Sequence, residues 1–283
     1  MCYNDGMANN IEIFQETKRL YESDEALIKA IEDSVRRQKV YITSPEAVCP
    51  GKGSVTVSSK RTLEAASAYS GRTAVLNFAS ARYPGGGVES GSNAQEEALC
   101  RISTLYPCLC NENVRADYYD FHNKSSSPTY SDRIIYTPDV VVFREDDNSM
   151  KVLSKNKWWK TDVITSPAPN RSAMRDCEGL DLYLKDIFVS RFNAILSVAK
   201  ENKVDNVILG AFGCGVFGND PYMVAECAKE ALENYKFKNV EFAVFCTKWD
   251  SRNFTAFKDV FKDARIVDNT RKTQDAQDFL LFR

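Results

Sequence analysis

The chain has 283 residues, a hydrophobic share of 43% and a formal net charge of −2. That length can bury a sizeable core, as one large α/β domain or two small ones, and so small a charge offers no electrostatic footprint for direct nucleic-acid binding. Nine cysteines without a Cys-x-x-Cys pair and a single histidine, His122, leave no zinc site of the usual spacings.

Taken in chain order, residues 11–41 carry apolar positions at helical spacing (Ile13, Leu20, Leu27, Ile31, Val35), interrupted at Ser23-Asp24, which can cap a second helix. Ser54–Ser58 alternates as a strand does. Thr62 to Gly71 reads as a short helix with Thr62 as N-cap and Gly71 as its stop. Thr73–Phe78 is a buried strand. Asn93-Ala-Gln-Glu96 has the spacing of a capping box and predicts a helix running to about Asn111. Lys124–Pro128 is a surface loop. Ile134–Tyr136 and Val140–Phe143 are strand-like on either side of Pro138, and Val163–Thr165 is a further strand. Leu180–Glu201 is the best amphipathic helix. Val207–Gly210 and Phe242–Cys246 are central strands with a helix from Pro221 to Tyr235 between them, and Ser251–Lys262 closes with a helix. The charged tail beyond Asp268 ends in an apolar tip, Phe279–Phe282, either frayed or docked. No run of eighteen apolar residues offers a membrane span, and the polar N-terminus lacks the apolar core of a secretory leader. A cytoplasmic protein with reduced thiols is expected.

Alternating βα units predict a sheet with helices on both faces, with ligand at the carboxyl ends of the strands. Two glycine-rich loops fall at such ends. The first is Gly85-Gly86-Gly87, followed after seven residues by Gln95-Glu96-Glu97. Three glycines let backbone pass close to a ligand, and two adjacent carboxylates at a helix start suggest sugar chemistry beside a phosphate. The second is Gly210 to Asp220, where four glycines precede a helix. Backbone N–H groups there can cradle a pyrophosphate, with help from the helix dipole, or the loop can be a plain tight turn. It matches neither the dinucleotide fingerprint nor a P-loop.

These two motifs, with Thr62-Leu-Glu-Ala-Ala66, Tyr136-Thr-Pro-Asp-Val-Val-Val-Phe-Arg144 and Thr165-Ser-Pro-Ala-Pro-Asn170, make the chain resemble the bacterial-type poly(ADP-ribose) glycohydrolases over roughly residues 44–262. The resemblance implies an α/β macrodomain-like three-layer fold, with a mixed central sheet flanked by helices and an N-terminal helical extension. The division it suggests is an extension over 1–43 and a catalytic domain over 44–283. It implies Glu97 as the catalytic acid, with Glu96 binding ribose hydroxyls. Gly85, Gly86, Gly87 and Gln95 would belong to the ribose and phosphate site. Gly213, Cys214, Gly215, Val216 and Phe217 would form the diphosphate loop, with Phe217 beside the terminal ribose, and Asn77 would contact a ribose. The implied partners are ADP-ribose polymer on modified proteins and the ADP-ribose product. No cofactor, no metal and no membrane is implied, and the protein would act as a monomer. Exo action is expected, the pocket being closed by Phe217 or by the Phe279–Phe282 tail.

The chemistry is consistent with that assignment. Cleaving a ribose–ribose bond passes through an oxocarbenium-like state and needs an acid at the leaving oxygen. Adjacent helical residues point about 100° apart, so Glu96 and Glu97 cannot flank one bond as paired glycosidase carboxylates do. One residue performing the proton transfers, with the other holding a sugar hydroxyl, fits better. Burial, the neighbouring carboxylate and substrate phosphates are expected to raise the pKa of Glu97. His122 reads as a surface residue, Cys214 as a small packing residue, and Trp158-Trp159 as an edge-of-core anchor or an adenine-stacking pair. A hydrolase of mono-ADP-ribosyl linkages and a non-catalytic ADP-ribose-binding macrodomain are the alternatives. A pure binding module has no need of an acid at the scissile bond.

Overall fold

A computed structural model describes residues 2–46, 48–247 and 249–270, so the expected apolar tip at Phe279–Phe282 lies outside the described residues. The helices are α1 (Cys2–Ser23), α2 (Glu25–Arg37), α3 (Thr62–Ala66), α4 (Gln95–Ile102), α5 (Leu105–Leu109), α6 (Glu112–Val114), α7 (Asp120–Asn123), α8 (Leu180–Glu201), α9 (Pro221–Leu232) and α10 (Arg252–Val260). The strands are β1 (Lys39–Tyr41), β2 (Ser54–Ser58), β3 (Thr73–Phe78), β4 (Ile134–Val142), β5 (Trp159–Ser166), β6 (Asn206–Leu209), β7 (Asn239–Ala243) and β8 (Arg265–Val267). Among the described residues, no helix is long and apolar enough to cross a membrane.

The chain divides into two units, one of residues 1–46 and 74–168, the other of residues 47–73 and 169–283. In the first unit the strand order is β1-β4-β5-β3. Strand β4 is antiparallel to β1 and β5, and β5 is parallel to β3, so the sheet is mixed. The sequence splits β4 at Pro138, but the strand runs through it. A bulge between Thr137 and Val140 absorbs the missing donor: Asp139 adopts φ +55° and its N–H donates to Asp162 Oδ1 at 2.8 Å.

Helices α1 and α2 separate where the sequence predicts. The Asp24 carboxylate accepts the N–H groups of Ala26 and Leu27 at 3.0 and 3.4 Å, capping α2. The helical pattern expected to reach Tyr41 ends at Arg37, because Lys39–Tyr41 pairs with β4 as strand β1. Tyr21 and Leu27 pack with Val141 and Phe143 of β4 and the following residue, with Trp158 alongside. Trp158 Nε1–H donates to the Leu153 carbonyl at 3.0 Å, which makes this tryptophan a core-edge anchor.

In the second unit the order is β6-β7-β2-β8, with every pair parallel. Crossover helices α9 and α10 connect β6 to β7 and β7 to β8, as parallel pairing demands. Helix α8 packs on α9, and α9 on α10. The short strand β8 escapes a periodicity reading because three residues carry too little pattern. Helix α3 is capped one residue earlier than expected: Arg61 is the N-cap, its N–H donates to Glu64 Oε2 at 3.2 Å, and the helix stops at Ala66, short of Gly71. Phe212, just beyond β6, is fully buried edge-on against Phe188 and Phe192 of α8, at centroid distances of 6.2 and 5.9 Å.

Leu27 is 1% exposed at the centre of the α1–α2–β4 contact. Leu27→Ala should lower unfolding free energy by about 2–5 kcal/mol, the usual range for a buried leucine. Urea unfolding followed by circular dichroism measures it.

Candidate active site

The site of the first unit starts from strand β3. Residues Ala74 to Asn77 are all fully buried, and Asn77 pairs in register with Thr165 of β5. Asn77 Nδ2 donates to Thr165 Oγ1 at 3.3 Å and to Glu96 Oε1 at 3.1 Å. The buried strand end thus reaches helix α4 through a side chain. Gln95 adds a second tie: its Oε1 accepts the Phe78 N–H at 2.8 Å and its Nε2 donates to the Leu76 carbonyl at 2.7 Å. The Gln95 amide, grouped with the substrate site by the motif, clips the first turn of α4 to β3.

Both carboxylates that follow are withdrawn from water, Glu96 at 2% exposure and Glu97 at 7%. Glu96 Oε2 accepts the Ser80 N–H at 2.7 Å. Glu97 Oε1 accepts the Gly87 N–H at 2.9 Å, and Glu97 Oε2 is buried without a hydrogen-bond partner in the protein. The triple glycine is explained by these neighbours. Gly86 has φ +58°, and a Cβ there would stand 2.5 Å from Glu97 Oε1 and 3.2 Å from Glu96 Oε2. Gly85, also at positive φ, would press a Cβ into the Tyr106 ring at 2.6 Å, and Gly87 into Ser92 Oγ at 2.4 Å.

Burial is the main reason that the Glu96 carboxyl is pushed up to about 8, and the charge of Glu97 adds to it. Hydrogen bonds from the Ser80 N–H, the Asn77 amide and the Gly85 N–H oppose that rise. The structure thus raises Glu96, a carboxyl that sequence reasoning did not name for this, because it is buried at the strand end.

The expected capping box is not formed. Helix α4 has Ala94 as its N-cap, with no side-chain cap bond. The Asn93 Oδ1 instead accepts Arg101 Nη2 at 2.7 Å, while Arg101 Nη1 donates to the Ser92 carbonyl at 2.5 Å. The helix also ends at Ile102 and does not reach Asn111, because Ser103 turns extended and bridges to Val142. The Thr104 N–H then donates to the Val141 carbonyl, and the Phe143 N–H to Ile102. Ser80 and Arg101 are site residues that the motif did not mark. The position of Arg101, four residues after Glu97 on the same helix, was the available signal.

The loop of the second unit follows β6 and is held by its own backbone. The Cys214 N–H donates to the Ala211 carbonyl at 3.1 Å, and the Gly218 N–H to Gly215 at 2.9 Å. Asn219 Nδ2 donates to the carbonyls of Gly213 and Pro169, both at 2.8 Å. Gly213 has φ +76°. At Gly215 a Cβ would meet nothing within 4 Å. Val216 is 84% exposed, while Phe217 is half-buried, its carbonyl accepting the Ser172 N–H. The helix dipole expected to serve a phosphate is already engaged: Asp220 Oδ1 accepts the N–H groups of Tyr222 and Met223, both at 3.0 Å. The Cys214 thiol is half-buried, and burial pushes its pKa up, which removes it as a ready thiolate.

His122, expected on the surface, is 1% exposed. Its Nδ1–H donates to the Tyr118 carbonyl at 2.8 Å, and its Nε2 accepts from Ser131 Oγ at 2.9 Å. Its polar neighbours concealed this, because a π-helical turn at Arg115–Tyr119 rotates the ring inward.

A profile of the microbial-type PARG catalytic domain matches residues 8–145. The poly(ADP-ribose) glycohydrolase of Thermomonospora curvata, solved with the inhibitor ADP-HPD, is 32% identical at a TM-score of 0.78, covering 90% of this chain and 100% of that one. The poly(ADP-ribose) glycohydrolase of Deinococcus radiodurans, solved with ADP-ribose, is 31% identical at a TM-score of 0.73, covering 82% of this chain and 97% of that one. A search of curated proteins found no match. The fold is thus the α/β macrodomain-like one, with a mixed sheet flanked by helices.

The pKa of Glu96 predicts a pH dependence of stability. The folded carboxyl is pushed up to about 8 from its ordinary 4.5, so between those values the folded chain holds a proton that the unfolded chain has lost. Stability should therefore fall as pH rises from about 4.5 through 8. Glu96→Gln, which cannot ionise, should flatten that slope. Melting temperatures of both proteins across this range provide the check, and parallel slopes would reject the assignment.

Proposed function

The chain belongs to the microbial-type PARG family and is a poly(ADP-ribose) glycohydrolase, and we propose that within this reaction Glu97 is the general acid. The observation that carries the proposal is the state of its two oxygens. Oε1 is held by the Gly87 N–H, which orients the carboxyl, while Oε2 is buried and makes no bond within the protein. A proton on Oε2 would pass to the oxygen leaving the anomeric carbon as the ribose–ribose bond opens. Water would then add to the oxocarbenium-like ribose, and the Glu97 carboxylate would take its proton back. Glu96, fixed by Asn77 and Ser80, would hold a ribose hydroxyl. Gly86 leaves the space beside this carboxylate pair open to sugar, since a side chain there would stand against both carboxyls.

ADP-ribose in the Deinococcus structure and ADP-HPD in the Thermomonospora structure support ADP-ribose as the group recognised here. The loop Gly213–Phe217 is proposed to take the diphosphate through its backbone, with Cys214 a small packing residue within it. Gln95 acts from behind, by fixing α4 to β3. The proposed substrate is polymer on modified proteins, attacked at its free end by a monomeric enzyme. No residue assigned here requires a metal or nucleotide cofactor.

Glu97→Gln should abolish turnover of automodified polymer while keeping ADP-ribose affinity, because one proton-transfer group supplies about 10²–10⁴-fold. A rate within about threefold of wild type would remove Glu97 from this role.

Gly215→Val is the informative variant for the diphosphate loop, since a Cβ there meets nothing and adopts no positive φ. It should weaken ADP-ribose binding in calorimetry without loss of melting temperature. Gly213→Val would add backbone strain at φ +76° and confuse the two effects. Unchanged affinity in Gly215→Val would place the diphosphate elsewhere.

Exo action predicts monomeric ADP-ribose on product gels from the first time point, with the protein-linked unit left in place. Abundant oligomers at low conversion would contradict it. Faster release from mono-ADP-ribosylated protein than from polymer would favour a mono-ADP-ribosyl hydrolase.

A further inference from the structure

Helix α1 presents one face to the acid-bearing segment. Residues Asn10, Phe14 and Thr17, spaced i, i+4 and i+7, are all buried, at 8%, 0% and 0% exposure. Each meets a different part of the candidate site. Asn10 Nδ2 donates to the Gly91 carbonyl at 3.1 Å. Phe14 packs edge-on against Tyr106, at a centroid distance of 5.0 Å, and it is the Tyr106 ring that excludes a side chain at Gly85. Thr17 Oγ1 donates to the Arg101 carbonyl at 2.7 Å. These contacts continue inward. Arg101 holds Ser92 and Asn93, and the N–H of Ser92 donates to the Gly87 carbonyl at 3.1 Å. Gly87 in turn holds Glu97 Oε1.

Two of these three buried residues are polar. Packing alone would be served as well by leucine and valine, because a buried polar group is unfavourable unless its hydrogen bond is made. What a hydrogen bond adds is direction, and both bonds end on backbone carbonyls of the segment that sets the geometry of Glu97. The surface pair Lys18–Glu89, at 3.2 Å, joins the same two elements but is solvent-exposed and counts for little.

We infer that Asn10 and Thr17 are positioning residues, through which helix α1 fixes the Gly87–Glu97 contact and thereby the orientation of the acid. The inference rests on Glu97 being that acid. It gives α1 a part in turnover beyond covering the sheet.

The test compares Thr17→Val, Thr17→Ser and Asn10→Leu in the full chain, with Glu97→Gln and Leu27→Ala beside them. Thr17→Val and Asn10→Leu keep the buried bulk and remove the bond. Each should lower kcat on polymer roughly tenfold, short of the ~10²-fold expected for a 1 Å misplacement. KM and ADP-ribose affinity should stay within about twofold of wild type, the pattern of an interaction felt only in the transition state. Thr17→Ser retains the hydroxyl and should restore kcat. Leu27→Ala weakens the same helix pair without touching the loop, and its kcat at a temperature well below melting should equal that of wild type. Wild-type kcat in Thr17→Val and Asn10→Leu would overturn the inference. So would an equal loss of kcat in Leu27→Ala, which would make α1 a stability element only. If Glu97→Gln stays active, the acid assignment itself fails. If Glu97→Gln is inactive while the α1 variants turn over normally, the positioning role alone is lost.

Discussion

Two carboxyl groups adjacent in sequence are withdrawn from water at the end of a buried strand, and the rest of the first unit is arranged around that burden. Each must lose hydration, and each lies close to another negative charge. The structure answers with donors. Asn77, Ser80 and Gly85 converge on Glu96, and Gly87 on Glu97. Three of these four donors are backbone N–H groups, and they can come this close only because the chain beside them is glycine or turns sharply. Gly86 marks the limit: a single methyl group there would stand 2.5 Å from Glu97 Oε1.

The two carboxyls are treated differently although they are neighbours on one helix. The first turn of α4 is pinned to β3 by Gln95, which rotates Glu96 toward the strand end and Glu97 toward the glycine loop. Glu96 becomes the more deeply desolvated group and favours its proton. Glu97 keeps one oxygen unbonded. The different settings that the proposed division of labour draws on, one carboxyl fully bonded and one with a free oxygen, thus follow from the turn of a helix.

The order of the large elements was legible in the sequence. Asp24 marks the helix break because its carboxylate can take the two N–H groups that follow, and β3 and α8 appear with the predicted bounds. Errors gathered where one residue answers to a partner that its local pattern does not name. Asn93 looks like a helix cap and is claimed by Arg101. Pro138 looks like a strand end, yet the bulge beside Asp162 carries β4 past it. His122 looks exposed and is enclosed by Tyr118 and Ser131.

By itself, the sequence determined the chemistry available: a glycine triplet, a Gln-Glu-Glu start to a helix, a second glycine loop, and too few histidines for a common zinc site. Those features are local, and residue type and spacing are enough to state them. The raising of the Glu96 carboxyl, which oxygen stays unbonded, which glycine meets the carboxylates and what α1 touches were decided only by the tertiary structure. Desolvation and hydrogen-bond geometry depend on groups brought near from elsewhere in the chain. Asn10 and Gly91 lie 81 residues apart, and no local pattern records their meeting.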